Sequence, residues 1–288
     1  MKQFQVTRRT FLFSSIVASA RLTAFAQQHR EKPRVGCQTN GWVIKGGTFG
    51  GLIEVLRSAR EIGYEGFECN VRFVKSGFPN VAEARKEIQA TGMEFIGIHI
   101  SLKEGAKPDF SAIARGAAQL GARNVVTSAA GLSPDGKFAL EELHAKVSQM
   151  EAMAKICQDN GIRFAYHNHV AEFANGNAEI QALAENTNPE LVHFLMDAGH
   201  GYQGGGDPAK FMLQHSERIV GCHLKTFRNK TQQVPLGQGD FGFEALAAAV
   251  KKTHWAGWLM DEEGGGARVG NTAAVASDRQ YIRNIFGV

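Results

Sequence analysis

The chain has 288 residues, 43% of them hydrophobic and 21% charged, with seven prolines, four cysteines and a formal net charge of +4. That composition excludes a disordered or collagen-like chain and suffices to bury a large core. Four basic residues, Lys2, Arg8, Arg9 and Arg21, fall among the first 26 positions, which carry no acid, so residues 27–288 hold 28 basic against 28 acidic side chains and no nucleic-acid footprint is expected of them.

The chain opens on Thr7-Arg8-Arg9-Thr10-Phe11-Leu12, then an apolar stretch from Phe11 to Phe25 and a small-residue Ala24-Phe25-Ala26 site. In that order these read as a twin-arginine export signal over residues 1–26. The apolar stretch is short and interrupted by Arg21, so no stable membrane span is expected. The expected partners are the twin-arginine export machinery and a small molecule, and the expected location is periplasmic or secreted. A protein exported folded acquires its structure in a reducing cytoplasm, which favours Cys37, Cys69, Cys157 and Cys222 as buried free thiols.

Residues 27–288 are close to the ~250 residues of one β/α barrel, and no linker or charge block divides them. Val35 to Gln38 reads as a first strand. Amphipathic stretches follow at Gly51 to Glu61, Val81 to Thr91, Ser111 to Leu120, Leu140 to Gln158, Ala178 to Glu185 and Phe243 to Lys252, with apolar residues at three- and four-residue steps. Asp207-Pro208 reads as an N-cap followed by Pro at the first helical position. Between the helices, Gly63, Gly92, Gly121 and Gly161 each lead into a buried run, the pattern of a helix C-terminal glycine followed at once by a strand. Strand alternating with helix throughout predicts a single (β/α)8 TIM barrel with a parallel sheet.

Four late runs are apolar and then stop on metal-competent side chains: Ile162 to His169, Leu191 to Asp197, Ile219 to His223 and Gly257 to Glu262. In such a barrel the C-terminal strand ends meet at one mouth, and charges there need a partner or a cation to offset desolvation. Asp197, His223, Glu262 and a group of the fifth strand, here His169, are the expected ligands of one divalent ion. Glu262 is preferred to Glu263 because it shares a strand face with Met260. Glu68 closes the second strand and His99 the third, and Lys225 shares a face with His223. His99 fits either a satisfied core histidine or a site role, and Lys225 either a solvated strand end or an oxyanion support. His29, His144, His193, His215 and His254 read as structural or solvent-facing.

Tyr166-His167-Asn168-His169 with Glu172-Phe173, Asp197-Ala198-Gly199-His200, Gly205-Gly206-Asp207-Pro208, His223-Leu224-Lys225, Val234 to Phe241 (VPLGQGDF) and Gly257-Trp258 running to Glu262 resemble the sugar phosphate isomerase/epimerase group of xylose isomerase-like TIM barrels. The resemblance implies a Mn, Mg, Co or Zn site acting on a polyhydroxy ketone or aldehyde. In ketose epimerases of that group, two metal-bound glutamates on strands five and eight exchange protons through an enediolate. Here Glu262 matches the strand-eight acid, Asp197 the strand-six ligand and His223 the strand-seven ligand, whereas strand five carries histidines where a glutamate is expected.

That departure leaves Glu262 as the expected base unless Glu172 swings in from the following loop. Lys225 is expected to support a developing oxyanion or leaving oxygen. Glu172 and His99 are further candidates for proton transfer, and Glu68, His167 and His200 are candidate sugar-binding groups. The expected reaction is proton abstraction next to a carbonyl, as in an isomerase or epimerase, on an unphosphorylated sugar because the chain is exported. The alternatives are a keto-sugar lyase or dehydratase, or a 3-keto-glycoside hydrolase. An apurinic endonuclease-like nuclease and a non-catalytic sugar-binding protein are the rivals from other classes.

Overall fold

The structure, a computed structural model, describes residues 32–105, 107, 109–262 and 272–288. The expected signal segment 1–26, His29 and Glu263 lie outside the described residues. Eight parallel strands close a barrel: β1 (Arg34–Gln38), β2 (Gly66–Asn70), β3 (Glu94–Ser101), β4 (Asn124–Ser128), β5 (Arg163–His167), β6 (Val192–Asp197), β7 (Ile219–Leu224) and β10 (Trp258–Asp261), with β10 sealing the ring between β7 and β1. A two-stranded antiparallel hairpin, β8 (Thr226–Arg228) with β9 (Gln232–Val234), projects just after β7.

The helices that separate the strands include α1 (Phe49–Ile62), α2 (Val81–Ala90), α4 (Phe110–Leu120) and α5 (Leu140–Asp159), with the single turn α3 (Leu102–Gly105) following β3. Then come α6 (Ala174–Asn186), the short α7 (Ala198–Gln203), α8 (Pro208–His215), α9 (Glu244–Lys252) and α10 (Thr272–Phe286). α1 and α4 end on Gly63 and Gly121, whose left-handed φ values of 105° and 98° turn the chain straight into the next strand. Asp207 caps α8 by accepting from Lys210 N at 2.9 Å, with Pro208 in the first turn. α6 begins earlier than its periodicity suggests, because Asn175, Gly176 and Asn177 form a distorted first turn at positive φ.

Two cores hold the barrel. The larger lies between strands and helices, and a smaller one of Ile96, Val126, Ala165, Leu195, Val220, Trp258 and Met260 fills the interior. Interior glycines make room for the large side chains: a Cβ on Gly36 would come within 2.5 Å of Ile96 Cδ1, and one on Gly221 within 2.8 Å of Met260 Cε. The Arg34 guanidinium stacks 4.2 Å from the Trp258 ring centroid and pairs with Glu65 and Glu94, closing the N-terminal end.

The interior positions decide what reaches the mouth. Strand side chains alternate, so Ala165 inside puts His167 inside, Leu195 puts Asp197 inside, and Met260 puts Glu262 inside. β5 stops at His167, two residues before the end of its apolar run, and His169 falls in the following loop. The four cysteines are free and buried, and among the described residues no helix is long and apolar enough to cross a membrane.

Behind β10, the buried Tyr64 hydroxyl donates to Asp261 Oδ2 at 2.6 Å and lies 2.9 Å from the Val275 carbonyl of α10, tying the last helix to the strand that carries Glu262. Tyr64→Phe removes the donor while leaving the buried acceptor in place. It is expected to lower stability by about 1–3 kcal/mol, measured as a shift in urea midpoint at unchanged slope.

Candidate active site at the C-terminal mouth

His167 ends β5, Asp197 ends β6, His223 lies on β7 and Glu262 follows β10, and one ligand atom from each falls within 4.8 Å of all the others. His167 Nε2 lies 3.0 Å from His223 Nδ1 and 3.3 Å from Asp197 Oδ2, while His223 Nδ1 lies 2.9 Å from Glu262 Oε2. Lys225 joins them from the stretch between β7 and β8, its Nζ at 2.7 Å from both Asp197 Oδ2 and Glu262 Oε2. The two carboxylate oxygens meet that ammonium as charges, but neither makes an aligned hydrogen bond. Two imidazole nitrogens and two under-satisfied carboxylate oxygens around one point form a donor set that fits a single divalent cation.

Burial and charge oppose each other at every member. Burial alone would raise the Asp197 carboxyl, but His200 and Lys225 outweigh it and hold the group well below the usual range. Glu262 behaves alike, with Lys225 and then His223 overcoming burial. Burial pushes the His167 imidazole down to about 3, so it is neutral, with a lone pair to offer. For His223 burial acts downward, yet Glu262 and Glu68 together lift it to about 10. Lys225 is likewise raised despite burial, by Asp197 and Glu262, and stays an ammonium.

The backbone around these groups is locked. Asn168, between the two histidines of the β5 loop, donates through Nδ2 to the Asp197 carbonyl at 3.0 Å and accepts from the Asp197 N–H at 2.8 Å. This amide clamp holds the ends of β5 and β6 in register. It was not anticipated from sequence, and its only signal there is an asparagine flanked by two histidines. Asp197 Oδ1 also accepts from His200 N at 2.8 Å, starting α7. The Glu262 N–H bonds the Leu224 carbonyl at 3.1 Å, and Gln233 of the hairpin donates to the Glu262 carbonyl at 2.5 Å.

On the opposite side, Glu68 Oε1 accepts from Gln38 Nε2 at 2.8 Å and lies 3.0 Å from His99 Nδ1, while His99 Nε2 is 3.1 Å from Ser128 Oγ. His99 is half-buried. Glu68, expected to bind sugar, has no exposed surface. His200 lies beside the cluster, Nδ1 at 3.1 Å from Asp197 Oδ2, and stacks on Phe227 of β8 at 6.0 Å.

Two expected residues are placed elsewhere. The strand-five member of the cluster is His167, not His169, whose Nδ1 is at 3.0 Å from the Ala129 carbonyl because β5 ends before it. Glu172 is turned away from the mouth: Tyr166 OH donates to its Oε1 at 2.7 Å and the His169 N–H to its Oε2 at 3.1 Å, with Lys146 Nζ 3.8 Å off. It is wholly buried on the helix side of the sheet. His193, facing the barrel's closed end, is pushed down to about 4 by burial and then by Arg163 and Arg218; His215 bonds Gln181 on the surface side.

A closed eight-stranded barrel with a metal-competent mouth defines the class, and the family model of the xylose isomerase-like TIM barrels matches residues 56–285. The chain belongs to that family. It is 26% identical over 245 residues to inosose dehydratase of Salmonella agona strain SL483, covering 73% of this chain and 80% of that one. Among solved structures, the fold is shared with 3-keto-D-glucoside 4-epimerase YcjR from E. coli, at a TM-score of 0.66 and 17% identity over 88% of this chain and 100% of that one. It is shared also with the IOLI protein with a bound zinc atom, at a TM-score of 0.71 and 14% identity over 88% and 98%.

Gly199 is required where α7 passes β7: a Cβ there would sit 2.3 Å from both the Lys225 carbonyl oxygen and its Cγ. Gly199→Ala is expected to cost about 1–3 kcal/mol through overpacking and to displace Lys225 from the carboxylates. Thermal unfolding together with divalent-ion titration would read both effects.

Proposed function

We propose that the chain is a divalent-metal-dependent enzyme that removes the proton next to the carbonyl of an unphosphorylated keto-sugar or related polyhydroxy ketone. The observation that carries this reading is the meeting of His167, Asp197, His223 and Glu262 ligand atoms within 4.8 Å, with Lys225 against both carboxylates. Two imidazoles and two carboxylates favour Zn, Co or Mn over Mg, which prefers an all-oxygen shell.

When bound, such a cation polarises the substrate carbonyl and acidifies the neighbouring C–H. Glu262, kept ionised and partly exposed, accepts that proton. Lys225, kept cationic, opposes the negative charge that builds on oxygen. His99 and His200, both half-buried at the rim, hold hydroxyls. Epimerisation by two carboxylates needs a second acid opposite Glu262, and that position is taken by neutral His167 while Glu172 points away. The geometry therefore favours β-elimination within the isomerase, epimerase and lyase group. The C–H electron pair forms a C=C bond and the β-hydroxyl departs as water with a proton from a rim imidazole. The likeness to inosose dehydratase across 80% of that protein supports the same choice.

Elemental analysis is expected to find about one divalent ion per chain, lost in Asp197→Ala combined with His223→Ala. With polyhydroxy ketones in deuterated water, the metal-loaded enzyme is expected to give a product lighter by one water, with deuterium at the carbon that lost the hydroxyl once the enol left by elimination reverts to a ketone. Glu262→Gln is expected to slow turnover by about 10²-fold or more. An epimer that keeps all its oxygens and carries deuterium beside the carbonyl would favour the isomerase reading, and full turnover in Glu262→Gln would overturn both.

We also propose export through residues 1–26, supported by Arg8-Arg9 ahead of Ala24-Phe25-Ala26. Replacing both arginines with lysine is expected to leave the precursor in the cytoplasm, as fractionation would report. Normal export of that variant would exclude the twin-arginine route.

A further inference from the structure

Behind the sheet, Lys146 of α5, Glu179 of α6 and Glu172 of the Ala171–Phe173 turn are buried together. Lys146 Nζ lies 2.6 Å from Glu179 Oε1 and 3.8 Å from Glu172 Oε1, and stands 4.7 Å from the centroid of the Tyr166 ring. A buried ion pair is weak evidence for stability, because desolvation offsets the attraction and apolar side chains of similar volume often serve as well. What sets this group apart is where its remaining polar atoms go. Lys146 Nζ donates to the Ala130 carbonyl at 3.3 Å, Glu179 Oε2 accepts from the Leu132 N–H at 2.7 Å, and Glu172 Oε2 accepts from the His169 N–H at 3.1 Å. All three backbone groups belong to the loops that leave β4 and β5 at the mouth, past the last strand residues, where the ladder offers them no partner. The two loops also meet each other: His169 Nδ1 is 3.0 Å from the Ala129 carbonyl, and a Cβ on Gly131 would fall 2.5 Å from Ala171 Cβ. On the mouth side the His169 ring centroid is 5.2 Å from that of His167 and 5.3 Å from that of His200, so this wall borders the cluster without joining it.

We propose that Lys146, Glu172 and Glu179 are positioning residues: from the helix side of the sheet they fix the wall of the mouth formed by residues 129–132 and His169, against which a polyhydroxy ketone is held. Each spends one polar atom on the buried group and another on a loop backbone, so the loops are anchored to α5 and α6 and not to each other alone. This role rests on the function proposed above and adds to it what holds the binding wall in place.

The test is amide hydrogen exchange followed by NMR, with steady-state kinetics and zinc titration, on wild type, on Glu179→Gln, and on Lys146→Met combined with Glu179→Leu. The amide of Glu179→Gln has one oxygen for the two donors that Glu179 serves, Lys146 and Leu132, and the apolar pair serves neither. In wild type the Leu132 and His169 amides, both in loops, are expected to exchange as slowly as the Val125 amide inside β4. In both variants the Leu132 amide is expected to exchange about 10–100-fold faster, through loss of a hydrogen bond to a charged group, while Val125 stays as in wild type. KM for the polyhydroxy ketone that wild type turns over is expected to rise about 10-fold at unchanged kcat, with zinc affinity unaltered. Fast exchange of Leu132 and His169 in wild type, a Leu132 amide no faster in the variants, or a faster amide at unchanged KM overturns the positioning role and leaves the proposed function standing. A wild type that takes up no divalent ion or turns over no polyhydroxy ketone overturns the proposed function, and amide exchange then decides by itself whether the three residues hold the wall. The wild-type exchange pattern decides that point even if neither variant folds.

Discussion

The mouth of this barrel gathers three carboxylates that are buried or nearly so, and the surrounding architecture follows from the need to pair them. Asp197, Glu262 and Glu68 are ionised in a setting where each carboxylate alone would be driven toward its neutral form. Lys225 and His223 are set against them, and His200 lies beside Asp197 at 3.1 Å. On the function proposed above, a bound divalent ion would meet those carboxylates, and its affinity would be coupled to folding stability.

Such a cluster keeps its shape only if the backbone beneath it cannot relax to spread the charges. The Asn168 amide clamps β5 to β6, the Asp197 side chain begins α7, and Gln233 with the Leu224 carbonyl grips Glu262 from two sides. Gly199 lets α7 lie against Lys225 closely enough to keep the ammonium on both carboxylates. Lower in the barrel, small residues on some strands admit Ile96, Trp258 and Met260 from others, giving a dry packed floor. The charged groups above that floor are themselves buried, and the lower dielectric around them strengthens their interactions.

Much of this was legible in the sequence because a parallel barrel is periodic. Apolar runs ending on polar side chains located the strand ends, glycines at helix C-termini marked the turns, and Met260 two residues before Glu262 identified the inward acid. What failed did so at distances shorter than one strand. The apolar run toward His169 gave no sign that β5 stops at His167, since the loop continues with residues that also pack. Glu172 resembled a free loop carboxylate, and only the fold reveals Tyr166 and Lys146 waiting for it on the helix side. The hairpin β8–β9 was missed because each strand has three residues, too few to display alternation.

The histidine at the end of β5 ties the geometry to the chemistry. On the proposed function, a carboxylate there would add a further negative charge to the mouth and supply a second proton acceptor across the sugar. His167 adds a lone pair without charge, so the site can hold one divalent ion with a single ionised base facing the substrate. Glu172, the acid expected to swing in from the loop, is instead committed with Lys146, Glu179 and Tyr166 behind the sheet, where Lys146 Nζ meets Glu179 Oε1 at 2.6 Å. Moving it to the mouth would leave the buried Tyr166 hydroxyl without its acceptor and break the hydrogen bond that holds the His169 backbone, a cost of about 1–3 kcal/mol for each group left unsatisfied. On the function proposed above, a proton taken from carbon by one carboxylate without a counterpart is not readily returned on the opposite face. The electron pair it leaves behind is better discharged by expelling a neighbouring oxygen.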